Sequence, residues 1–166
     1  MFEKNKSGDT IYYTGIIYTA RDAAHMRLEE MYKKGEKLPV DFSNSLIYYA
    51  GPTPTPPGKA VGSIGPTTAS RMDKFAYLMK EFGVIGTIGK GPRGSECKST
   101  YQNDKILYFI TTGGCGALLS KCVKKCDIIA FSDLGTESIK RLEVENFPIT
   151  LAYDYYNNDI FERKIK

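Results

Sequence analysis

The chain has 166 residues, enough by the usual prior for one domain with a real core, expected to span 1–166. Its hydrophobic share of 42% and charged share of 25% are those of an ordinary soluble protein. Net charge is +4, from 23 basic and 19 acidic residues; the excess is mild and dispersed, which suits a small acidic ligand and does not indicate nucleic acid.

The opening MFEKNKSGDT lacks the apolar core of a signal peptide, and no apolar run approaches the roughly 18 residues of a membrane span. A cytoplasmic location is expected. Thr10 to Tyr18, rich in Ile, Tyr and Thr, reads as the first strand. Asp22 then suits the N-cap of a helix with Ala24, Leu28, Met31 and Tyr32 on one face, ended by Gly35. Arg21 therefore stands at a strand-to-helix junction, a place where open α/β sheets bind ligands and where solvated charges are also common. His25, with no partner in view, is expected to be structural.

After a polar loop (35 to 44) and a strand from Leu46 to Ala50 comes the most unusual stretch, residues 49 to 73. It holds five of the eight prolines and four of the sixteen glycines. Proline fixes φ and glycine permits close backbone approach, so the loop reads as built and functional. Thr67, Thr68 and Arg71 end it, just where a helix begins. Ser70-x-x-Asp73 looks like a capping box, and Met72, Phe75, Ala76, Met79 and Phe82 make a helical core stripe closed by Gly83.

Val84 to Ile88 reads as a buried strand, followed by Gly89-Lys90-Gly91-Pro92-Arg93-Gly94. The flanking glycines leave Lys90 free to project, but no Ser or Thr follows it, so this is not a Walker loop. A helix is expected over Ser95 to Gln102 and a strand over Lys105 to Thr111. Thr112-Gly113-Gly114-Cys115-Gly116 then opens a helix expected to reach Lys125, its glycines serving close packing rather than an anion. Cys126 to Phe131 is expected as a strand, Asp133 to Glu137 as a turn into a short helical piece, and Ile149 to Tyr153 as the last strand. The tail from Phe161 to Lys166 is basic and expected to be exposed. Six strands interleaved with three or four helices indicate an α/β domain.

Four cysteines without an export signal argue against a disulfide framework. The C-x6-C-x3-C spacing of Cys115, Cys122 and Cys126 matches no compact metal motif, and one histidine is too few to help. Cys115 and Cys122 are expected as small packing residues on a buried helix. What remains is a set of polar groups at strand ends and helix starts: Arg21, Thr67, Thr68, Arg71 and Lys90. With no histidine base and no activated cysteine, they do not form a hydrolase triad. Three cations and two hydroxyls make a receptor for a compact dianion, a dicarboxylic acid or a phosphate ester.

IYTARDAAH (17 to 25), IYYAGPTPTPPGKAVGSIGPTTASRMD (47 to 73), GTIGKG (86 to 91), TTGGCGALLS (111 to 120) and DLGTESIKRLEVENFPI (133 to 149) carry a resemblance that covers nearly the whole chain. Their pattern resembles the beta subunit of class I iron–sulfur fumarate hydratases, the C-terminal domain of single-chain class I fumarases and the L(+)-tartrate dehydratase beta subunit. The resemblance implies a swivelling β/β/α fold, a central mixed sheet flanked by helices, docking as a mobile lid on another subunit. It implies a hydro-lyase that interconverts fumarate and L-malate, with tartrate dehydration or a non-catalytic anion-binding module as alternatives. The [4Fe–4S] cluster would be bound by the cysteines of an alpha subunit and by none in this chain, in a hetero-oligomer such as alpha2beta2. The resemblance assigns Arg21 and Arg71 to the substrate carboxylates, with Lys90 on the loop and Thr67 and Thr68 as the paired hydroxyls. Thr67 would take the substrate proton, which demands cationic neighbours for so poor a base, or would serve only as a hydrogen-bond donor.

Overall fold

The protein was analysed as a computed structural model, which describes residues 1–111 and 115–162. Strand β1 (Thr10–Thr19) leads into helix α1 (Asp22–Lys33) and strand β2 (Leu46–Tyr48). A 3-10 helix (Ala69–Phe75) runs directly into α2 (Ala76–Glu81), then β3 (Gly86–Gly89), α3 (Ser95–Asp104) and β4 (Leu107–Ile110). A short α4 (Gly116–Ser120), β5 (Val123–Ala130), a second 3-10 helix (Ser132–Glu137), β6 (Ile139–Tyr153) and a last 3-10 turn (Ile160–Glu162) complete the order.

The sheet is mixed and closes on itself. β1 to β4 are mutually parallel neighbours, while β6 runs antiparallel to β4, to β1 and to β5. Because β6 pairs with both β1 and β4, the ring β1-β2-β3-β4-β6 is barrel-like, and β5 hangs on its outer side. Alternate residues of the strands feed two cores. Ile17, Leu46, Tyr48, Ile88, Leu107, Phe109, Leu142, Phe147, Ile149 and Leu151 pack with Phe2 and Ile64 in one. The opposite face, with Ile47, Tyr49 and Tyr108, is covered by Ala24 and Leu28 of α1, Met72 and Phe75, Leu78 and Met79 of α2, and Tyr101 of α3. Burial on both faces explains why these short parallel strands read as unbroken apolar runs.

The α/β class, the mixed central sheet and its flanking helices are as the sequence led us to expect, with four local corrections. Asp22 is not the N-cap of α1: Arg21 holds that position without a side-chain cap, and the Glu137 carboxylate accepts the Ala23 N–H at 3.3 Å instead. Ser70 and Asp73 form no capping box, because the 3-10 helix begins one residue after Thr68 and Asp73 is engaged elsewhere. The helix expected to reach Lys125 stops at Ser120, since the chain turns into β5 at Val123 and Cys122 already accepts the Glu145 N–H at 2.8 Å. Cys115 and Cys122 are therefore half-buried residues flanking a five-residue helix, and Leu118 faces solvent. Finally, β6 is 15 residues long and begins ten residues before the expected strand. Its first half alternates buried Leu142 and Val144 with half-buried Arg141 and Glu143, a period of two hidden by the charged letters.

Candidate active site

Four parallel strands end side by side, with Thr19 opposite Tyr48, Tyr48 opposite Ile88, and Gly89 opposite Ile110. Every expected site residue lies just beyond this C-terminal edge. Arg21 follows β1 by two residues and Lys90 follows β3 directly. The Pro-rich loop leaves the edge after β2 and returns to it at Thr67. There the Thr67 N–H bonds the Tyr49 carbonyl at 2.8 Å, the Lys90 N–H bonds the Thr67 carbonyl at 3.2 Å, and the Ala69 N–H bonds the Lys90 carbonyl at 3.0 Å. Thr67, Thr68 and Lys90 are thereby fixed as neighbours in a short strand extension. Gly89 is required for this: a Cβ there would lie 2.9 Å from both the Ala69 Cβ and the Tyr49 ring.

Both Thr67 groups converge on one acceptor, because its hydroxyl also donates to the Tyr49 carbonyl, at 2.9 Å. That bond consumes the hydroxyl proton and leaves the oxygen's lone pairs pointing elsewhere. Thr68 holds the N-cap position of the 3-10 helix without a side-chain cap bond. Arg71 is exposed on the same helix, and Lys90 is exposed in the bridge to Thr68.

Arg21 is half-buried against Gly51, where the loop begins. Its carbonyl accepts both the His25 N–H at 3.0 Å and the His25 Nδ1–H at 2.8 Å, which places the ring proton on Nδ1. His25 in turn packs edge-on to Tyr49, with ring centroids 5.6 Å apart, so Arg21 and Thr67 are joined through His25 and Tyr49. No direct hydrogen bond or ion pair joins the Arg21 side chain to Thr67, Thr68, Arg71 or Lys90 among the described residues. Behind Arg21, the Lys140 ammonium donates to the carbonyls of Gly135, Thr136 and Ser138 and to the Ser138 hydroxyl. That turn is further pinned to α1 by the bidentate Arg27–Asp133 pair, both bonds 2.8 Å.

His25 is structural, as expected, and this has a pH consequence. Burial is the chief reason its pKa is held down from 6.5 to about 4. The unfolded chain then binds a proton that the folded chain refuses across that window, so stability falls as pH drops from 6.5 towards 4. The loss due to this one group is about 3 kcal/mol at most. His25→Gln should flatten the difference in urea midpoint between pH 7 and pH 4.5 relative to the unmodified chain; an unchanged difference would contradict the assignment.

Arg93 and Asp73 are the residues that sequence reasoning missed. The Arg93 side chain is fully buried and pairs with Asp73 at 2.6 Å, and the other Asp73 oxygen accepts the Gly94 N–H at 2.7 Å. Its guanidinium also reaches the hydroxyls of Thr87, Tyr101 and Tyr49 and lies 4.9 to 5.3 Å from three tyrosine rings. The only trace in the sequence is an arginine between Pro92 and Gly94, which looks like an exposed loop charge.

Charge pairing separates the arginines into two groups. Among the described residues, Arg27, Arg93 and Arg141 each have a carboxylate partner, whereas Arg21 and Arg71 have none. The Arg21 Nε is buried without a hydrogen-bond partner. A cavity of about 510 Å3 lies between loop residues 56–63 and residues 117–123, away from the expected site residues. Gly116 packs tightly beneath that loop, since a Cβ there would lie 2.7 Å from the Gly65 nitrogen. Residues 112–114 of the Gly-rich turn, and 163–166 of the tail, lie outside the described residues.

No group of three or more His, Cys, Asp or Glu side chains among the described residues is arranged to hold a metal ion. Cys97, buried on α3, has its thiol pushed up to about 12 by burial, far from a thiolate ligand. The described residues thus offer no ready set of ligands for a metal cluster. No described helix is long and apolar enough to cross a membrane.

Residues 1–164 match the family model described as "Fumarase C-terminus". The chain belongs to this family. It is 42% identical over 166 residues to the putative L(+)-tartrate dehydratase subunit beta of Methanocaldococcus jannaschii, covering 96% of this chain and 85% of that protein. It is 38% identical over 160 residues to fumarate hydratase 2 of Leishmania major, covering 95% of this chain but 28% of that protein. To the L(+)-tartrate dehydratase subunit beta of Escherichia coli it is 32% identical over 164 residues, covering 96% of this chain and 80% of that protein. The chain therefore spans most of the tartrate dehydratase subunits and about a quarter of the fumarate hydratase. These relatives are named as enzymes that add or remove water, and this chain is of the beta-subunit or C-terminal-domain type.

Proposed function

We propose that this chain is the substrate-gripping half of a hydro-lyase acting on a four-carbon dicarboxylate, interconverting fumarate and L-malate. The observation that carries the reading is the pair of arginines, Arg21 and Arg71, left without carboxylate partners among the described residues, where Arg27, Arg93 and Arg141 are each paired. A guanidinium without a partner is an open fork for a carboxylate, and two of them suit a ligand with a carboxylate at each end. Lys90, anchored by its backbone to Thr67 and Ala69, adds a third cation to the same edge.

Thr67 is the candidate proton acceptor. Its hydroxyl bond to the Tyr49 carbonyl would be lost in an alkoxide, leaving two acceptor oxygens 2.9 Å apart. Only close cations such as Lys90 or Arg71 could offset that repulsion, so Thr67 acts as a base with them or else as an orienting donor. Thr68 supplies the second hydroxyl. A [4Fe–4S] cluster would be borne by an alpha subunit in a hetero-oligomer and would supply a Lewis acid there. The exposure of Arg71 and Lys90 suits a surface that a partner completes, with closure excluding water from the substrate.

A second reading, L(+)-tartrate dehydration, is favoured by the near-complete span of the Methanocaldococcus jannaschii subunit. Co-expression with the cluster-bearing partner and side-by-side assays on L-malate and L-tartrate separate the two. Preference for malate by tenfold or more in kcat/KM, about 1.4 kcal/mol, supports the first reading. The reverse preference establishes the second, and no turnover of either overturns the dicarboxylate hydro-lyase.

A further inference from the structure

Among the described residues no hydrogen bond or ion pair links the Arg93 and Asp73 side chains to the five expected site residues, yet the pair joins the two segments that carry Arg71 and Lys90. Asp73 lies two residues after Arg71 on the 3-10 helix Ala69–Phe75. Arg93 lies three residues after Lys90 in the loop between β3 and α3. Both Asp73 oxygens are taken by this loop, one by the Arg93 Nε at 2.6 Å and one by the Gly94 N–H at 2.7 Å. The loop is pinned at three points: Lys90 N–H to the Thr67 carbonyl, the Tyr108 hydroxyl to the Gly91 carbonyl at 2.5 Å, and Arg93 N–H to the Tyr153 hydroxyl at 3.0 Å. The guanidinium then ties the assembly to Tyr49, just after β2, to Thr87 of β3 and to Tyr101 of α3 through their hydroxyls.

A buried ion pair contributes little net stability compared with apolar packing of the same volume, but it fixes direction, because a fork and a carboxylate meet in one geometry. We infer that Arg93 and Asp73 are positioning residues that set Arg71 and Lys90 at a fixed separation, so that both cations meet one dianionic substrate together. This rests on the reading that Arg71 and Lys90 grip the substrate. It assigns the pair no contact with substrate and no part in proton transfer. The preorganisation it provides falls on binding: cations already held in place need not be ordered when substrate arrives.

The test uses the co-expressed complex and its better substrate, L-malate or L-tartrate. Asp73→Asn keeps the shape and removes the charge, and should raise KM about tenfold with a smaller change in kcat. In a Lys90→Ala background the same substitution should cost less than about threefold, because one of the two cations it positions is already gone. Lys98→Met, which breaks the partly buried Lys98–Asp159 pair elsewhere on α3, should lower thermal stability and leave KM within about twofold. In the full chain alone, amide exchange at Lys90 and Ala69 should quicken in Asp73→Asn and not in Lys98→Met. Should Asp73→Asn fail to fold, Arg93→Lys keeps the buried charge, loses the fork and takes its place. If Asp73→Asn leaves KM unchanged, or multiplies fully with Lys90→Ala, the positioning role is overturned while the site stands. If Lys90→Ala and Arg71→Ala are themselves without effect, the site reading fails first and the positioning role with it.

Discussion

Replacing Arg71 by alanine should lower kcat/KM of the assembled complex by roughly two to three orders of magnitude, about 3–4 kcal/mol. Its guanidinium is exposed, has no carboxylate partner among the described residues, and stands next to the buried Met72 that anchors the 3-10 helix. The helix therefore keeps its packing without Arg71, and stability should move by no more than about 0.5 kcal/mol. A large kinetic loss at constant stability is what a substrate contact predicts and what a structural residue does not. Arg71→Lys should recover only part of the loss, since an ammonium is a point charge and cannot grip a carboxylate with two parallel bonds. Steady-state kinetics beside thermal melts of the same preparations check both parts. Unchanged kcat/KM in Arg71→Ala would remove Arg71 from the site.

The readable part of this molecule is what local chemistry writes into the letters. Ile and Tyr runs became β1 and β2, the stripe Met72, Phe75, Met79 became helical core, and Gly35 closed α1 with a φ of +69°. That Arg21, Thr67, Thr68 and Lys90 stand close to strand ends was also legible, because each letter follows an apolar strand run or precedes a helical stripe; that they grip a ligand is the proposal made above. Three things were not. Asp22 and Asp73 sit where local rules expect caps, but the distant Glu137 accepts the Ala23 N–H and the distant Arg93 engages the Asp73 carboxylate. The first half of β6 shows charged residues on its outer face, and only its pairing with β1 and β5 reveals the strand. Arg93 reads as a loop charge because nothing within the chain's local spacing announces that Asp73, Tyr49, Thr87 and Tyr101 converge on it. Long-range partners decide each case, and spacing alone cannot name them.

Arg93→Met should destabilise the fold by about 3 kcal/mol, the lower end of the cost of breaking a buried ion pair. The lower end applies because Asp73 retains some solvent access, its side chain 23% exposed against none for Arg93. Water can partly repay the carboxylate for the lost guanidinium, and the Gly94 N–H still bonds it. The hydroxyls are not orphaned either, since Tyr101 bonds both Tyr49 at 3.2 Å and Thr87 at 3.0 Å. Methionine fills much of the vacated volume among the rings of Tyr49, Tyr101 and Tyr108, so a cavity adds little. Adding Asp73→Leu to Arg93→Met then removes the uncompensated carboxylate and should return more than half of the lost stability. The double variant should nevertheless keep the raised KM, because apolar packing replaces the energy of the pair without its direction. Urea midpoints and KM measured on the single and double variants separate these two roles. Recovery of KM together with stability would show that the pair serves folding alone.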